Sequence, residues 1–359
     1  MALARLPVTD VALGWRLRRE DIDAVRSIVP RSVAVWRWVP VFVDSGTARP
    51  ADGFVGVGPD GTAPRPFRDM ADFRFLCLDR DEVIDAGLER AIDLGHEIDA
   101  DGVLLDRIRW HSPSRSPAAE LTCFCEWSQR AASAIGIDLA NVGAAVRTAG
   151  DTLEGRRELV TALLGGGRDG LLGEFLAWRT HTVTRSVERL AIGLRDAGFD
   201  SALDVFTPAL ARSVGQDLTR LAPYGAWSKS MTYLDAIGPA SLPFELRGYA
   251  TWLEKAGETD ADGFIADLFG FHGPGLGTSG AQLDALETEA SRLLRSVGAT
   301  RAIVGLDAVQ IDGVCEVADA DLDARVSALR EAGVGLSPCW ELLFIDRPRI
   351  DAIESAWAG

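Results

Sequence analysis

Eight short runs of β-branched or apolar residues recur along the chain, each followed by a stretch whose apolar residues return at helical spacing. They lie at 11–15 (VALGW), 32–39 (SVAVWRWV), 72–77 (DFRFLC), 102–105 (GVLL), 201–206 (SALDVF), 226–232 (AWSKSMT), 302–306 (AIVGL) and 334–340 (VGLSPCW). An amphipathic helix must bury its apolar stripe, and a sheet its faces, so this alternation predicts parallel strands covered by helices. Eight strands in 359 residues fit a closed (β/α)8 TIM barrel enlarged by loop and helical insertions, since the bare barrel needs about 250 residues. An open doubly wound sheet of about five to seven strands accounts for the pattern less well. The surplus falls in an expected hairpin at 52–64, an additional helix near 151–165 and a Gly-rich loop at 268–280. No repeat, Pro/Ser-rich linker or charge block interrupts the sequence, so a single barrel domain over 1–359 is expected.

Composition removes several classes of function. A hydrophobic share of 47% excludes a disordered chain, and the apolar run from Val33 to Val43, interrupted by Arg37 and Pro40, is too short to span a bilayer. The first residues, MALARLPVTDVALGW, place Arg, Pro and Asp where a secretory peptide needs an unbroken apolar stretch, which predicts a cytoplasmic protein. A formal net charge of −16 without a Lys/Arg cluster argues against nucleic acid as a partner. Five cysteines, of which only Cys123 and Cys125 are close in sequence, do not form a disulfide framework.

The segment 101–110, DGVLLDRIRW, ends an apolar strand in Asp106 and continues at once into arginines and Trp110. Strand C-termini carry the chemistry in barrels, and a carboxylate held there by rigid backbone can act as nucleophile, base or electrostatic stabiliser. The bland reading has Asp106 capping a helix or pairing with Arg109.

DGVLLDRIRW resembles the fourth-strand signature of glycoside-hydrolase-like barrels and, more distantly, the DG-x-x-x-D strand of chitinase-like family 18 enzymes. CFCEWSQRAASAIGI (123–137) is similar to the cysteine-containing helix after that strand, and LDVFTPALARSVGQDL (203–218), WSKSMTYLDAIGPASLPFEL (227–246) and SPCWELL (337–343) are similar to the fifth, sixth and eighth strand regions. The resemblance covers roughly 70–343 and implies a barrel acting on a carbohydrate or glycoside, with no cofactor. One departure matters: the acid that a chitinase-like strand carries two residues beyond its last aspartate is here Ile108. Another strand must then supply the acid, or the barrel lacks one.

Glycoside hydrolysis needs two carboxyl groups, one kept protonated and one ionised. Asp204 and Asp307 stand closest to strand ends and rank ahead of Glu245 and Glu341 as the partner of Asp106. Trp15, Trp36, Trp38, Trp110, Tyr233 and Trp340 fall near strand ends, where flat rings can stack on sugars or simply fill the core; Trp110 and Trp340 are the better candidates for stacking. Lys229 and Tyr233 share one strand face by period two, and a buried lysine there needs a carboxylate such as Asp204, or a substrate hydroxyl. Arg109, Trp110, Lys229, Tyr233, Glu245, Trp340 and Glu341 thus make up the expected substrate-binding set around catalytic Asp106, Asp204 and Asp307.

Cys123-Phe124-Cys125 lacks C-x-x-C spacing and a second pair, so no metal site is expected, and His111, followed by two Ser-Pro pairs, reads as an exposed loop residue. Neither H-E-x-x-H nor G-x-S-x-G occurs, and GPGLGTSG (273–280) is not a P-loop. The leading expectation is a glycosidase or transglycosidase; the alternative is a carbohydrate-binding barrel without catalysis. A lyase or isomerase of a sugar phosphate ranks third, because DAVQIDG and ELLFIDR bear carboxylates where a phosphate cradle needs glycines.

Overall fold

The structure, a computed structural model, describes residues 8–44, 52–167, 169–270 and 279–358. Seven parallel strands form one sheet in sequential order: β1 (Asp10–Gly14), β2 (Ala34–Pro40), β3 (Gly102–Asp106), β4 (Asp200–Phe206), β5 (Ser228–Met231), β6 (Ala302–Gly305) and β7 (Gly335–Ser337). The sheet curls as a TIM-barrel-like α/β fold with helices on its outer face. No described helix is long and apolar enough to cross a membrane.

Successive residues of a strand face opposite sides, and the two sides here have different company. Val103, Leu105, Leu203 and Val205 belong to the large outer core, together with Ile84 and Ala91 of the helix Asp81–Glu97 and Val187 and Leu190 of the helix Gly170–Asp196. The intervening residues Trp36, Leu104 and Ala202 form a smaller cluster with Ala34, Trp38 and Trp227, which fills the barrel interior. Trp36 and Trp227 meet edge to face at 5.0 Å, and the Trp36 indole N–H donates to Asp10 at 2.6 Å. This aromatic plug requires Gly102: a Cβ there would stand 2.3 Å from the Trp36 ring.

The expected strand at 72–77 is not in the sheet. β2 pairs directly with β3 over Trp36–Gly102 to Pro40–Asp106, which leaves no gap for another strand. Residues 71–73 instead form a 3-10 turn, and Phe75 and Leu76 make isolated antiparallel bridges to Val43 and Val55. The hairpin expected at 52–64 is likewise replaced by a 3-10 turn at Asp52–Phe54 and irregular chain. The additional helix near 151–165 is present as Leu153–Leu164, capped by Thr152. Most of the Gly-rich loop at 268–280 lies outside the described residues.

Candidate active site at the C-terminal mouth of the strands

Asp106 stands two residues beyond Leu104, and Asp204 two beyond Ala202, so both carboxylates face the interior one layer above the aromatic plug. The register pairs Leu105 with Leu203 and Asp204 with Lys229, which sets Asp106, Asp204 and Lys229 level across three adjacent strands. The Lys229 ammonium donates to Asp204 Oδ2 at 2.9 Å. Asp106 is 4% exposed and Asp204 2%. Burial raises Asp204 to about 6, against the pull of Lys229 and with a further push from Asp106. Burial disfavours the Lys229 cation, but Asp204 and Tyr233 outweigh it and hold the lysine protonated.

Beyond Asp106 the chain turns through Arg107, whose φ of 55° is the left-handed region that a side chain seldom occupies. That turn aims both its backbone N–H and its guanidinium back at the carboxylate: Arg107 N donates to Asp106 Oδ1, and Nη1 to Oδ2 at 2.8 Å. Two residues further on, the Arg109 guanidinium lies between the Phe75 and Phe206 rings, 4.3 Å from each centroid. Its Nη1 donates to the Trp110 carbonyl, its Nε has no hydrogen-bond partner among the described residues, and burial lowers it to about 10 while Glu245 and Asp106 oppose the fall.

Glu245, in the first turn of the helix Leu242–Glu254, accepts from the Ala240 N–H at 2.9 Å and from the Ser112 hydroxyl, tying the loop after β5 to the loop after β3. Between these loops lies a shallow cleft lined by Phe67, Phe73, Phe75, Phe244, Arg109 and Glu245 among others. Tyr233 packs edge to face on Trp340 at 5.1 Å and lies under the Lys229 ammonium at 5.8 Å. Gly305 leaves room for this pair, since a Cβ would lie 3.1 Å from Lys229 Cε and 3.3 Å from the Tyr233 ring. Glu341 follows Trp340 and precedes the 3-10 turn Leu342–Phe344.

Three expectations from the sequence change in the structure. Trp110 is fully buried, with its indole N–H on the Arg179 carbonyl, so its ring presents no face to a ligand. His111 is not an exposed loop residue: it is 8% exposed beside Phe75, and burial lowers it. Asp307 has one oxygen engaged with backbone, its Oδ2 accepting from the N–H groups of Asp235 at 2.6 Å and Ala236 at 2.8 Å, while its Oδ1 has no hydrogen-bond partner among the described residues; burial and the nearby Asp235 raise it. Sequence reasoning passed over Arg107, Ser112 and the phenylalanines of the cleft. Arg107 had a signal in its place directly after Asp106, whereas Ser112 meets Glu245 across 133 residues.

The only group of three potential metal ligands among the described residues is Cys77, Cys123 and Cys125, none of which belongs to the carboxylate row. No family model and no curated protein matches the sequence. Among solved structures, the chitinase of Chromobacterium violaceum aligns over 98% of this chain and 92% of its own, at 11% identity and a TM-score of 0.45. A class V chitinase of Pseudomonas fluorescens aligns over 97% and 92%, at 12% identity and 0.47. The glycoside hydrolase domain of PgaB (BpsB) from Bordetella bronchiseptica aligns over 90% of this chain and 75% of its own, at 15% identity and 0.51. With that domain the chain shares its fold, a TIM-barrel-like arrangement of parallel strands and helices.

Proposed function

We propose that the chain is a glycosidase or transglycosidase that cleaves a glycosidic bond of an oligosaccharide or glycoside at the C-terminal mouth of its strands. The observation that carries this reading is the level row of Asp106, Asp204 and Lys229. Barrel interiors are ordinarily filled with branched apolar residues, so two acids and a lysine one layer above an aromatic plug point to chemistry. Burial keeps Asp204 protonated to about pH 6, which suits the acid that protonates a leaving oxygen. Asp106, held by Arg107, is assigned the part of nucleophile or base. Arg109, Glu245, Tyr233, Trp340 and Glu341 then bind the sugar, and the phenylalanines of the cleft take its apolar faces. The shared fold with the PgaB glycoside hydrolase domain supports the class of reaction.

Two observations favour the second reading, a carbohydrate-binding barrel without catalysis. Lys229 already occupies Asp204 Oδ2, and the position that would hold a chitinase-like acid is the fully buried Ile108. The two readings separate on a panel of aryl glycosides and oligosaccharides offered to the parent, Asp106→Asn and Asp204→Asn. Cleavage by the parent that falls about 100- to 10,000-fold in folded variants is the expected result. Saturable glycan binding with no cleavage of any panel member would establish the binding barrel instead.

A further inference from the structure

Three thiols from two separated stretches meet beside the helix Glu126–Ser133. Cys77 ends the segment that stays out of the sheet, Cys123 precedes the helix, and Cys125 is its N-cap residue. Their sulfurs all lie within 4.8 Å of one another, with Cys77 Sγ 3.4 Å from Cys125 Sγ. Cys77 and Cys123 are fully buried, and Cys125 is half-buried, which gives the cluster one open side. Ser128 Oγ lies 3.4 Å from Cys77 Sγ and 3.7 Å from Cys125 Sγ, and it donates to Asp79 Oδ2 at 2.7 Å. The Val57 N–H faces Cys123 Sγ at 3.4 Å.

As neutral thiols these groups offer one another only weak hydrogen bonds, and as bare thiolates they would repel across a buried space. A thiophilic cation removes the conflict. Zinc–sulfur bonds of about 2.3 Å in tetrahedral array set sulfurs roughly 3.8 Å apart, a spacing bracketed by the 3.4 Å contact and the 4.8 Å limit. We propose that Cys77, Cys123 and Cys125 form a three-thiolate site for a divalent d10 cation, zinc, with the fourth position open on the exposed side of Cys125. A divalent ion leaves a net charge of −1 on the three-thiolate complex, where a monovalent one would leave −2, and a buried site favours the smaller charge. The helix N-terminus behind Cys125 stabilises the remaining negative charge. Binding displaces the thiol protons to solvent, one for each sulfur that coordinates. The bound ion pins the 75–77 segment, which has no strand partner in the sheet, to the helix Glu126–Ser133.

The test is a titration of the reduced, chelator-stripped full chain with Cd2+ as the spectroscopic stand-in. One equivalent is expected to raise an ultraviolet thiolate-to-metal band with the intensity of three sulfur ligands and to raise the melting temperature. Cys125→Ser, at the half-buried position, is expected to remove about a third of the band and at least about tenfold in affinity, while Cys339→Ser leaves both unchanged. Cys77→Ser repeats the test from the buried side, with circular dichroism confirming that it folds. Absence of the band at one equivalent, or a band that Cys125→Ser leaves intact, would overturn the proposal. A Cys77–Cys125 disulfide in metal-free protein purified without reductant would overturn it too, in favour of a redox pair.

Discussion

Lys229 and Asp204 bring opposite charges into a barrel interior at neutral pH, where Asp204 helps hold the lysine protonated and Lys229 only partly offsets the burial that raises Asp204, and truncating the lysine leaves a buried carboxylate without its partner. Lys229→Met is therefore expected to destabilise the fold by about 3–5 kcal/mol at neutral pH, and the double variant Asp204→Asn/Lys229→Met to recover most of that loss. Urea unfolding measures both. The pH dependence follows from the direction of the Asp204 shift. Its folded-state pKa, about 6, lies above the unfolded value near 4, so its contribution to stability is complete below the unfolded value and is lost as pH rises through about 6. The cost of Lys229→Met accordingly shrinks as pH falls and Asp204 becomes neutral, and a cost independent of pH would show that Asp204 is not the group left uncompensated. The same proton governs the proposed chemistry. Glycoside cleavage should decline about tenfold per pH unit above about 6, as the acid form of Asp204 is titrated away, and a kcat/KM profile flat to pH 8 would remove Asp204 from the acid's role.

Among the elements, the loop from β5 to the helix Leu242–Glu254 depends on two carboxylates that do different work. Asp307 holds the backbone N–H groups of Asp235 and Ala236, and Asp235 in turn pairs with Arg325. Removing both acceptor oxygens leaves two buried donors unsatisfied, so Asp307→Ala should cost about 2–5 kcal/mol, while Asp307→Asn, which keeps one acceptor, should cost less and retain cleavage. Loss of cleavage in a stably folded Asp307→Asn would return Asp307 to the chemistry. Element by element, the sequence carried all seven strands of the sheet, the buried centre and the half-exposed edges alike. β3 and β4 appear where GVLL and SALDVF stand, whereas β5 ends at Met231, so Tyr233 reaches the Lys229 ammonium from beyond the strand and not through strand alternation. The run DFRFLC has the same local β character, yet the direct pairing of β2 with β3 excludes it from the sheet, a long-range outcome that local propensity cannot express. Trp110 was misjudged for a related reason: the residue four places past a strand end turns inward or outward according to the helix it meets, here through Arg179, 69 residues away. The third thiol beside Cys123 and Cys125 comes from 48 residues before Cys125, beyond the reach of spacing rules.

At the scale of the whole molecule, the sheet is firmest in its middle and weakest at its two edges. All of β3 is buried, whereas β1 buries only Leu13 and β7 is half-exposed throughout. Among the described residues no hydrogen bond joins β7 to β1, so each of these strands is paired on one side only. Local opening requires breaking few buried contacts at such edges and nearly all of them at the centre. Native-state hydrogen exchange should therefore show Val103, Leu104 and Leu105 of β3 exchanging only through global unfolding, with the β1 and β7 amides faster by about 100-fold or more, a difference of about 2.7 kcal/mol in opening free energy. The mouth follows the same gradient. Asp106, Asp204 and Lys229 hang from the firm central strands, whereas Trp340 and Glu341 follow the half-exposed β7. Protection equal across all seven strands would mean that the two edges close on one another in solution, and the ring side of the site would then be as rigid as the carboxylate side. Graded protection would leave the proposed chemistry on fixed strands and the proposed sugar contacts of Trp340 and Glu341 on a yielding rim, able to adjust to the ligand.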